Sequence, residues 1–399
     1  HAGCGKTTLS DLMLYKAGVV SRFGRVDDNT SVSDYRAEEQ ERKSSMYATP
    51  LNCPWKDNHL FFIDTPGYSD FCGETLAAIR VADMVVIVVD AVSGIDVGSI
   101  RAWKVARDLN VPRAFLINGL DREQADYAGV LAKIQESYGA TVCIPFTVPV
   151  GEKAGFSAVA RVLGGADAPP EVADRVEEIS ANLMDGVAET DEELMEKYLE
   201  EGELSSEEIA RGLNQGILAG DLIPVFAGSA DKDIGIDEFM DMVGEVFPSP
   251  VAGRTVALKD DGEYTCDSAE GNGLAFVFKS VNDPFVGQLT YLRVYGGLIS
   301  SDNDVVNVTN GGKERFGSML IVNGKEQQSV QEAGPGEIVA IAKLKNTNIN
   351  DTLAAKPCDT QFAPPKMPTP TMHYAVYPVK SGEDEKIGSG LQRISEEDP

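Results

Sequence analysis

The 399-residue chain is long enough for two or three domains, and 43% hydrophobic with 25% charged residues is an ordinary globular composition. Its net charge of −28 would repel phosphates from the average surface, so we expect no sequence-specific binding of nucleic acid. The six scattered cysteines form no CxxC pair and no apolar run has the length of a membrane helix, which argues against zinc ligation, a disulfide scaffold and a membrane partner.

The chain opens on a segment typical of a phosphate-binding loop. It ends in Gly5-Lys6-Thr7, as does the pattern Gly, four residues, Gly-Lys-Ser/Thr, although the first Gly would fall one place before His1. Lys6 would reach the β- and γ-phosphates, and the Thr7 hydroxyl would bind Mg²⁺. A Gly-rich turn that happens to precede Lys-Thr is the alternative. The candidate phosphate-binding residues are His1, Ala2, Gly3, Cys4, Gly5, Lys6, Thr7 and Thr8.

Apolar strand runs alternate with amphipathic helices from Leu9 to about Val246. The strand that should precede the phosphate-binding loop is missing, so we expect the chain to begin inside a domain. The predicted strands are Leu60–Ile63, Met84–Val89 and Ala114–Ile117, and the predicted helices include Phe71–Val81 and Val97–Asp108. This alternation predicts an α/β domain in which a parallel-rich sheet carries helices on both faces. Ligands of such sheets lie beyond the carboxyl ends of the strands, where Asp64 and Asn118 fall.

A second candidate motif, Asp64-Thr65-Pro66-Gly67, follows the first predicted strand. A carboxylate at Asp64 would hold Mg²⁺, often through water, and the Gly67 N–H would meet a γ-phosphate. The alternative is a plain turn at the end of a strand, because Asp, Pro and Gly all favour turns. Its position after the Lys6 loop in a parallel-sheet pattern favours the nucleotide interpretation.

A third candidate motif, Asn118-Gly119-Leu120-Asp121, follows the third predicted strand. The Asp121 carboxylate accepts two hydrogen bonds and would bind the two N–H donors on one edge of guanine, a pair that adenine lacks. Ser229-Ala230 follows the strand-like run Ile223–Phe226. It would complete the base pocket with a backbone N–H.

Together, these motifs resemble in type and order the guanine-nucleotide motifs of the translational GTPases, and elongation factor G in particular. Further segments carry the resemblance along almost the whole chain, namely Tyr35–Arg42, Asp191–Glu201, Asn282–Gly287 and Ser395–Pro399. The resemblance implies that the chain binds GTP or GDP with Mg²⁺. The implied metal-binding residues are Thr7, Ser45 and Asp64, and the implied catalytic residues are Lys6 and Tyr68.

Three departures from the family pattern bear on activity. Gly119 stands where the family has a Lys that packs over the base, so we expect weaker nucleotide binding with the guanine preference retained by Asp121. Tyr68 replaces the catalytic His; its phenol is no general base at neutral pH, but its O–H would orient a water. Arg42-Lys43-Ser44-Ser45 aligns with Arg-Gly-Ile-Thr, and Ser45 keeps the hydroxyl. We expect slow intrinsic hydrolysis.

The resemblance and changes in composition divide the chain into domains. Residues 1–253 form the G domain without its first strand, and residues about 150–220 form a helical, acidic insert. Pro248-Ser249-Pro250 marks a boundary, and residues 254–356 form a β-barrel domain of short strands with Gly- and Asn-rich turns. Residues 357–370 form a Pro-rich linker. Residues 371–399, with a predicted strand Thr371–Val379 and helix Asp384–Ile394, begin a ferredoxin-like α+β domain.

The resemblance implies a cytoplasmic, ribosome-dependent GTPase that promotes or modulates translocation. Its partners would be the ribosomal stalk proteins and small subunit, and we expect a monomer. One alternative, favoured by Tyr68 and Gly119, is a GTP-sensing module that binds the ribosome for protection or regulation and hydrolyses little. A second is a stand-alone ATP enzyme such as a small-molecule kinase, which Asp121 argues against. The sequence does not separate translocation, recycling and protection.

Overall fold

The computed structural model describes residues 1–164, 168–251, 253–266, 268–283, 287–370, 372–379, 382 and 384–398. The helices of the described residues are α1 (Lys6–Lys16), α2 (Ala37–Arg42), α3 (Cys72–Val81), α4 (Val97–Asp108), α5 (Tyr127–Tyr138), α6 (Ala173–Ala188), α7 (Glu192–Glu201), α8 (Ser206–Ala219), α9 (Ile236–Val246) and α10 (Asp384–Glu397). No described helix combines the length and the apolar character needed to cross a membrane.

The strands fall into two groups along the chain. The first group is β1 (Thr49–Trp55), β2 (Asn58–Asp64), β3 (Val85–Asp90), β4 (Arg113–Asn118), β5 (Cys143–Pro145), β6 (Thr147–Val150), β7 (Ala158–Arg161) and β8 (Ile223–Gly228). The second is β9 (Val256–Ala257), β10 (Glu263–Tyr264), β11 (Leu274–Asp283), β12 (Gly287–Gly296), β13 (Ile299–Ser300), β14 (Asp304–Asn307), β15 (Lys313–Arg315), β16 (Met319–Asn323), β17 (Glu326–Val330), β18 (Glu332–Ala333), β19 (Ile338–Ala342) and β20 (Thr352–Ala354). The chain forms two units, residues 1–71 with 82–249 and residues 72–81 with 250–399.

A parallel sheet with the strand order β3-β4-β8-β5 forms the centre of the first unit. Neighbouring residues of β4 point to opposite faces, so Leu116 packs in one apolar cluster and Ile117 in another. Helices α1 and α9 contribute to the Leu116 cluster, whereas α5 contributes to the Ile117 cluster. The predicted parallel sheet with helices on both faces is therefore confirmed.

The strand that ends in Asp64 corrects one part of the sequence analysis. That analysis placed Leu60–Ile63 in the parallel sheet, but β2 pairs antiparallel with β1 in a two-stranded sheet of its own. A tight turn joins the two strands, and Lys56 in that turn has a φ of 51°. The assignment to the parallel sheet is wrong because the apolar run indicates a strand without identifying its partner.

The stretch predicted to form the insert, at about residues 150–220, contains the three predicted helices. They were predicted over Pro170–Gly186, Asp191–Glu201 and Ser205–Gly220, and the structure has them as α6, α7 and α8 within a few residues of those bounds. Polar caps begin two of them, because Asp191 accepts from the Glu193 and Leu194 N–H groups and Ser205 accepts from the Glu208 N–H. Glycines in the left-handed region end both helices.

The second unit is built on antiparallel strands, as the sequence predicts. Its eight-stranded sheet has the order β15-β14-β20-β11-β12-β19-β16-β17 among the described residues. Alternate side chains of β11 and β12, such as Ala275 and Leu292, fill its apolar core. Helix α3 belongs to this unit, where Arg80 donates to the Ala363 carbonyl and Lys279 pairs with Glu74 at 2.6 Å. Pro284, Phe285 and Val286 of the Asn282–Gly287 segment lie outside the described residues.

The end of the chain departs from expectation. Helix α10 confirms the predicted helix at Asp384–Ile394, but residues 372–379 form no strand. Apolar side chains of this stretch are exposed, with Tyr374 at 82% and Val379 at 97%. The strand prediction is wrong within the described residues, because an alternating apolar pattern forms a strand only where a neighbouring strand accepts its hydrogen bonds. Residues 371, 380–381, 383 and 399 lie outside that part of the chain.

Candidate functional site

The loop before α1 has the shape of an anion-binding turn. Gly3 and Gly5 adopt φ values of 81° and 90°, and Gly5 is the N-cap residue directly before α1. The first N–H groups of a helix have no partner within it, so they and the helix dipole face any ligand placed at this end. A Cβ on Gly5 would lie 2.4 Å from the Asn118 Nδ2 atom. Glycine is therefore required at this position by both backbone conformation and space.

Two polar side chains at the end of the loop, those of Lys6 and Thr7, are held by contacts with other residues. Lys6 Nζ donates to the His1 carbonyl oxygen at 2.7 Å, so its charge lies over the loop. The Thr7 hydroxyl is 3.0 Å from the Ser45 hydroxyl, although 38 residues separate them in sequence. The structure thus brings together two of the three residues that the sequence analysis assigned to Mg²⁺. Cys4 is 2% exposed and packs in the apolar core, and its thiol donates to the His1 carbonyl oxygen at 3.0 Å.

The Asp64–Gly67 segment lies against the same loop. A Cβ on Gly67 would lie 2.4 Å from the Ala2 backbone nitrogen, so glycine allows the two segments to touch. Asp64 is buried, and its Oδ2 accepts from the Ser33 hydroxyl at 2.6 Å. Burial raises the pKa of Asp64. Its Oδ1 has no hydrogen-bond partner within the described residues, which leaves one acceptor for a ligand.

The third motif and Ser229-Ala230 form the far end of the site. Asn118 donates from Nδ2 to the Cys4 carbonyl at 2.8 Å, and its Oδ1 accepts from the Ala230 N–H at 2.9 Å. The Ser229 hydroxyl donates to Asp121 Oδ1 at 2.5 Å. Asn118 therefore ties the phosphate-binding loop to the end of β8. These contacts bring together the residues of all the predicted motifs on one edge of the sheet.

Two of the predicted site residues occupy positions that limit their role. Leu120 is 3% exposed and packs in an apolar cluster with α5, so its backbone alone can face a ligand. Tyr68 is 49% exposed and begins a short turn in which the Phe71 N–H donates to its carbonyl. Its side chain is directed to solvent rather than buried in the site. The catalytic and ligand-binding roles of the individual residues stay predictions.

Sequence reasoning missed a buried acidic group near Ser45. Asp34 is 2% exposed, and neither of its carboxylate oxygens has a hydrogen-bond partner in the part of the chain that the structure describes. Burial, and then the charge of Asp64, raise the pKa of Asp34 to about 7. Asp11 on α1 is likewise buried, and burial raises its pKa to about 6. No spacing marks these two residues in the sequence, because their position depends on how the segment between α1 and β1 folds.

The buried Asp34 carboxylate should make the ligand-free chain less stable as pH rises. Its pKa is raised on folding, so its ionisation opposes the folded state from about pH 4, the unfolded value, to about pH 7. We expect Asp34→Asn to raise the free energy of unfolding by about 1–3 kcal/mol near pH 8, with little change near pH 4. Urea unfolding without nucleotide or metal measures this. Asp57→Asn on the exposed β1–β2 turn is the control, and an equal gain there would contradict the account.

Comparison with known proteins identifies the family. The model of the elongation factor Tu GTP binding domain matches residues 1–249, and that of elongation factor G domain 2 matches residues 273–356. The chain belongs to the elongation factor G type of translational GTPases. An elongation factor G-like protein of Thermotoga maritima is 32% identical over 410 residues, which cover 100% of this chain and 59% of that protein. A solved structure from Thermus thermophilus is similar at 30% identity with a TM-score of 0.88.

This chain matches only part of each of these two relatives. The match to the solved structure includes 100% of this chain and 60% of the solved chain. The chain therefore spans about 60% of the length of either relative. Both comparisons support the resemblance drawn from the motifs. The match to the GTP binding domain covers the residues that include Lys6, Asp64 and Asn118.

The oxygen atoms of this site suit a hard divalent cation. Hydroxyls from Thr7 and Ser45 lie together, and three buried carboxylate oxygens, Oδ1 of Asp64 and both oxygens of Asp34, have no donor in the described structure. Mg²⁺ is commonly held by one or two carboxylates, water and the phosphates of the substrate, rather than by a complete protein cage. No group of three or more His, Cys, Asp or Glu side chains among the described residues is arranged to hold a metal ion. The residues present therefore fit Mg²⁺.

Proposed function

We propose that this chain binds GTP and GDP with Mg²⁺ and hydrolyses GTP when it is bound to the ribosome. The observation that carries the proposal is the Asn118 side chain, which bonds both Cys4 in the phosphate-binding loop and Ala230 beside Asp121. One side chain thus links the loop that would bind the phosphates to the residues that would bind the base. The family membership supports the same function.

The base end is suited to guanine. The Ser229 hydroxyl donates to one oxygen of Asp121 and so fixes the orientation of the carboxylate. The rest of the Asp121 carboxylate would accept from the two N–H donors on the guanine edge. Adenine offers no such pair, so an oxygen of the Asp121 carboxylate would have no donor if ATP were bound. Ala230 and Gly119 would line the pocket with backbone.

The phosphate end would hold the charged part of the nucleotide. The residues from Gly3 to Thr8 would bind phosphate oxygens through backbone N–H groups, and Lys6 would neutralise the β- and γ-phosphates. Thr7, Ser45 and Asp64 would hold Mg²⁺, which when bound neutralises charge on the transferred phosphoryl group. Gly67, packed against Ala2, would direct its N–H at the γ-phosphate. The movement of Ser45 and Gly67 with the γ-phosphate would make this a switch.

Tyr68 would act as the residue that positions the attacking water. It follows Gly67 directly, and its exposed phenol is free to turn toward a γ-phosphate on Gly67. We expect Tyr68→Phe to lower the ribosome-stimulated hydrolysis rate by about tenfold to hundredfold, because the ring stays but the hydroxyl that orients water is lost. Single-turnover hydrolysis measures this, with Tyr15→Phe on α1 as the control. An unchanged rate in Tyr68→Phe would remove Tyr68 from the mechanism.

The cellular role follows from the family as a proposal. The ribosome would be the partner, met through its stalk proteins and small subunit, and the protein would act in the cytoplasm as a monomer to promote or modulate translocation. We assign residues 1–253 to the G domain with an insert at about 150–220, residues 254–356 to a barrel, and residues 371–399 to the start of a third domain. Single-turnover hydrolysis with and without ribosomes tests the proposal, which requires that ribosomes accelerate the reaction.

A second candidate function is a ribosome-binding module that senses GTP with little hydrolysis. The observation that favours it is the exposed position of Tyr68, which stands where the family has its catalytic His. Ribosome binding that depends on GTP but brings no acceleration of hydrolysis would select this function. Ribosome-accelerated hydrolysis would exclude it.

A further inference from the structure

The Asn118–Asp121 motif folds an arginine back over its own glycine. Gly119 has a φ of 85°, and the Arg122 N–H donates to the Gly119 carbonyl at 3.2 Å, which closes a tight turn. A Cβ built on Gly119 would lie 3.2 Å from Arg122 Nε and 3.3 Å from its Cζ. The Arg122 guanidinium therefore covers the Cα of Gly119 on the side to which a side chain would project.

Asp90 holds the guanidinium in this position. Arg122 Nη1 donates to Asp90 Oδ2 at 2.5 Å, and the other Asp90 oxygen accepts from the Val92 and Ser93 N–H groups. Asp90 ends β3 directly beside Asn118 at the end of β4. Its side chain is 11% exposed, whereas that of Arg122 is 48% exposed. The carboxylate is thus a fixed anchor, and the guanidinium keeps a surface open for contact.

We propose that Arg122 stacks on the face of the guanine base whose edge Asp121 binds. The inference rests on the proposed nucleotide site and adds a residue that determines affinity for the base. A planar guanidinium packs against aromatic rings through cation–π and stacking contacts, and it does so while keeping a carboxylate partner in its plane. Gly119 has no side chain with which to cover the ring. Arg122, fixed by Asp90 over Gly119, supplies that cover from three residues further along the chain.

Contact with the face of a base differs from contact with its edge in a measurable way. A stacked guanidinium does not distinguish the groups on the purine edge, whereas Asp121 does. Arg122 therefore contributes similarly to GDP and to inosine diphosphate, and it contributes nothing to pyrophosphate, which has no base. A residue that acted only through its positive charge would instead contribute to pyrophosphate as well.

Calorimetric titration of the full chain with GDP, inosine diphosphate and pyrophosphate tests the proposal. We expect Arg122→Ala to weaken binding of both nucleotides by about fivefold to tenfold and to leave pyrophosphate unchanged. Arg122→Lys keeps the positive charge but lacks the planar guanidinium. On a logarithmic scale, it should therefore restore less than half of the affinity that Arg122→Ala loses. Arg107→Ala on the exposed face of α4, whose partner Asp108 is also exposed, is the control and should change nothing.

The outcomes separate this inference from the function on which it rests. Absence of GDP binding by the unaltered chain would overturn both. GDP binding that is equal in the unaltered chain, Arg122→Ala and Arg107→Ala would overturn the stacking role and leave the proposed function in place. Tighter GDP binding by Arg122→Ala would show that the side chain obstructs the site, and weaker pyrophosphate binding would show a charge effect. Both of those results contradict the proposal.

Discussion

Asp121→Asn should move the nucleotide preference of the chain from guanine to xanthine. The carboxylate is an acceptor alone, so it matches the two N–H donors of guanine, whereas the Asn amide offers a donor that matches the C2 carbonyl of xanthine. We expect the affinity ratio of GDP to xanthosine diphosphate to fall by about 100-fold or more, because the wrong pairing leaves a polar group unsatisfied. Equilibrium competition between the two diphosphates measures this ratio.

The substitution should leave the fold intact, which makes the result easy to interpret. The amide oxygen introduced by Asp121→Asn can still accept from the Ser229 hydroxyl that holds the native carboxylate. Glu123→Gln removes one negative charge from the exposed turn two residues away and is the matched control. An unchanged ratio in Asp121→Asn, or an equal change in Glu123→Gln, would place the base pocket elsewhere.

Gly5→Ala should abolish most nucleotide binding. The new Cβ would lie 2.4 Å from Asn118 Nδ2, and Gly5 has a φ of 90° that disfavours any side chain. Strain and displacement together cost about 2–5 kcal/mol, and relief requires that Asn118 release the Cys4 carbonyl. We expect GDP affinity to fall by at least about 30-fold in a direct titration.

Gly18→Ala provides the matched control for this prediction. Gly18 follows α1 with a φ of 72°, so it shares the left-handed conformation, but no atom lies within 4 Å of the Cβ position. It should lower the unfolding free energy by about 1 kcal/mol and leave GDP affinity unchanged. Equal losses of GDP affinity in both variants would mean that backbone strain alone, and not the Gly5–Asn118 contact, explains the effect.

Local pattern was enough to predict most elements of the fold. Helix α4 was predicted over Val97–Asp108 and has those bounds, because apolar spacing and its flanking residues are local properties of the chain. Strand pairing is not local. The apolar run that ends in Asp64 indicates a strand, yet its antiparallel partner β1 was not foreseen. Residues 372–379 show the same limit, because a strand also requires a neighbour.

In the candidate site, too, residue types could be predicted from the sequence, whereas contacts between distant residues could not. Lys6, Asp64, Asn118 and Asp121 could be found because phosphate, metal and guanine chemistry demands those residue types at recognisable positions. The contacts that hold them were not visible in the sequence. Asn118 bonding Cys4 and Arg122 bonding Asp90 depend on strands that meet only in the folded sheet. Asp34 is missed for the same reason, since one Asp among many becomes notable only when it is buried.

The most direct test of the central claim is equilibrium binding of GDP and ADP to the 399-residue chain with Mg²⁺ present. The arrangement of Asp121, Ser229 and Ala230 predicts that GDP binds with a preference of about 100-fold or more over ADP. ADP binding as tight as GDP binding, or tighter, would contradict the account.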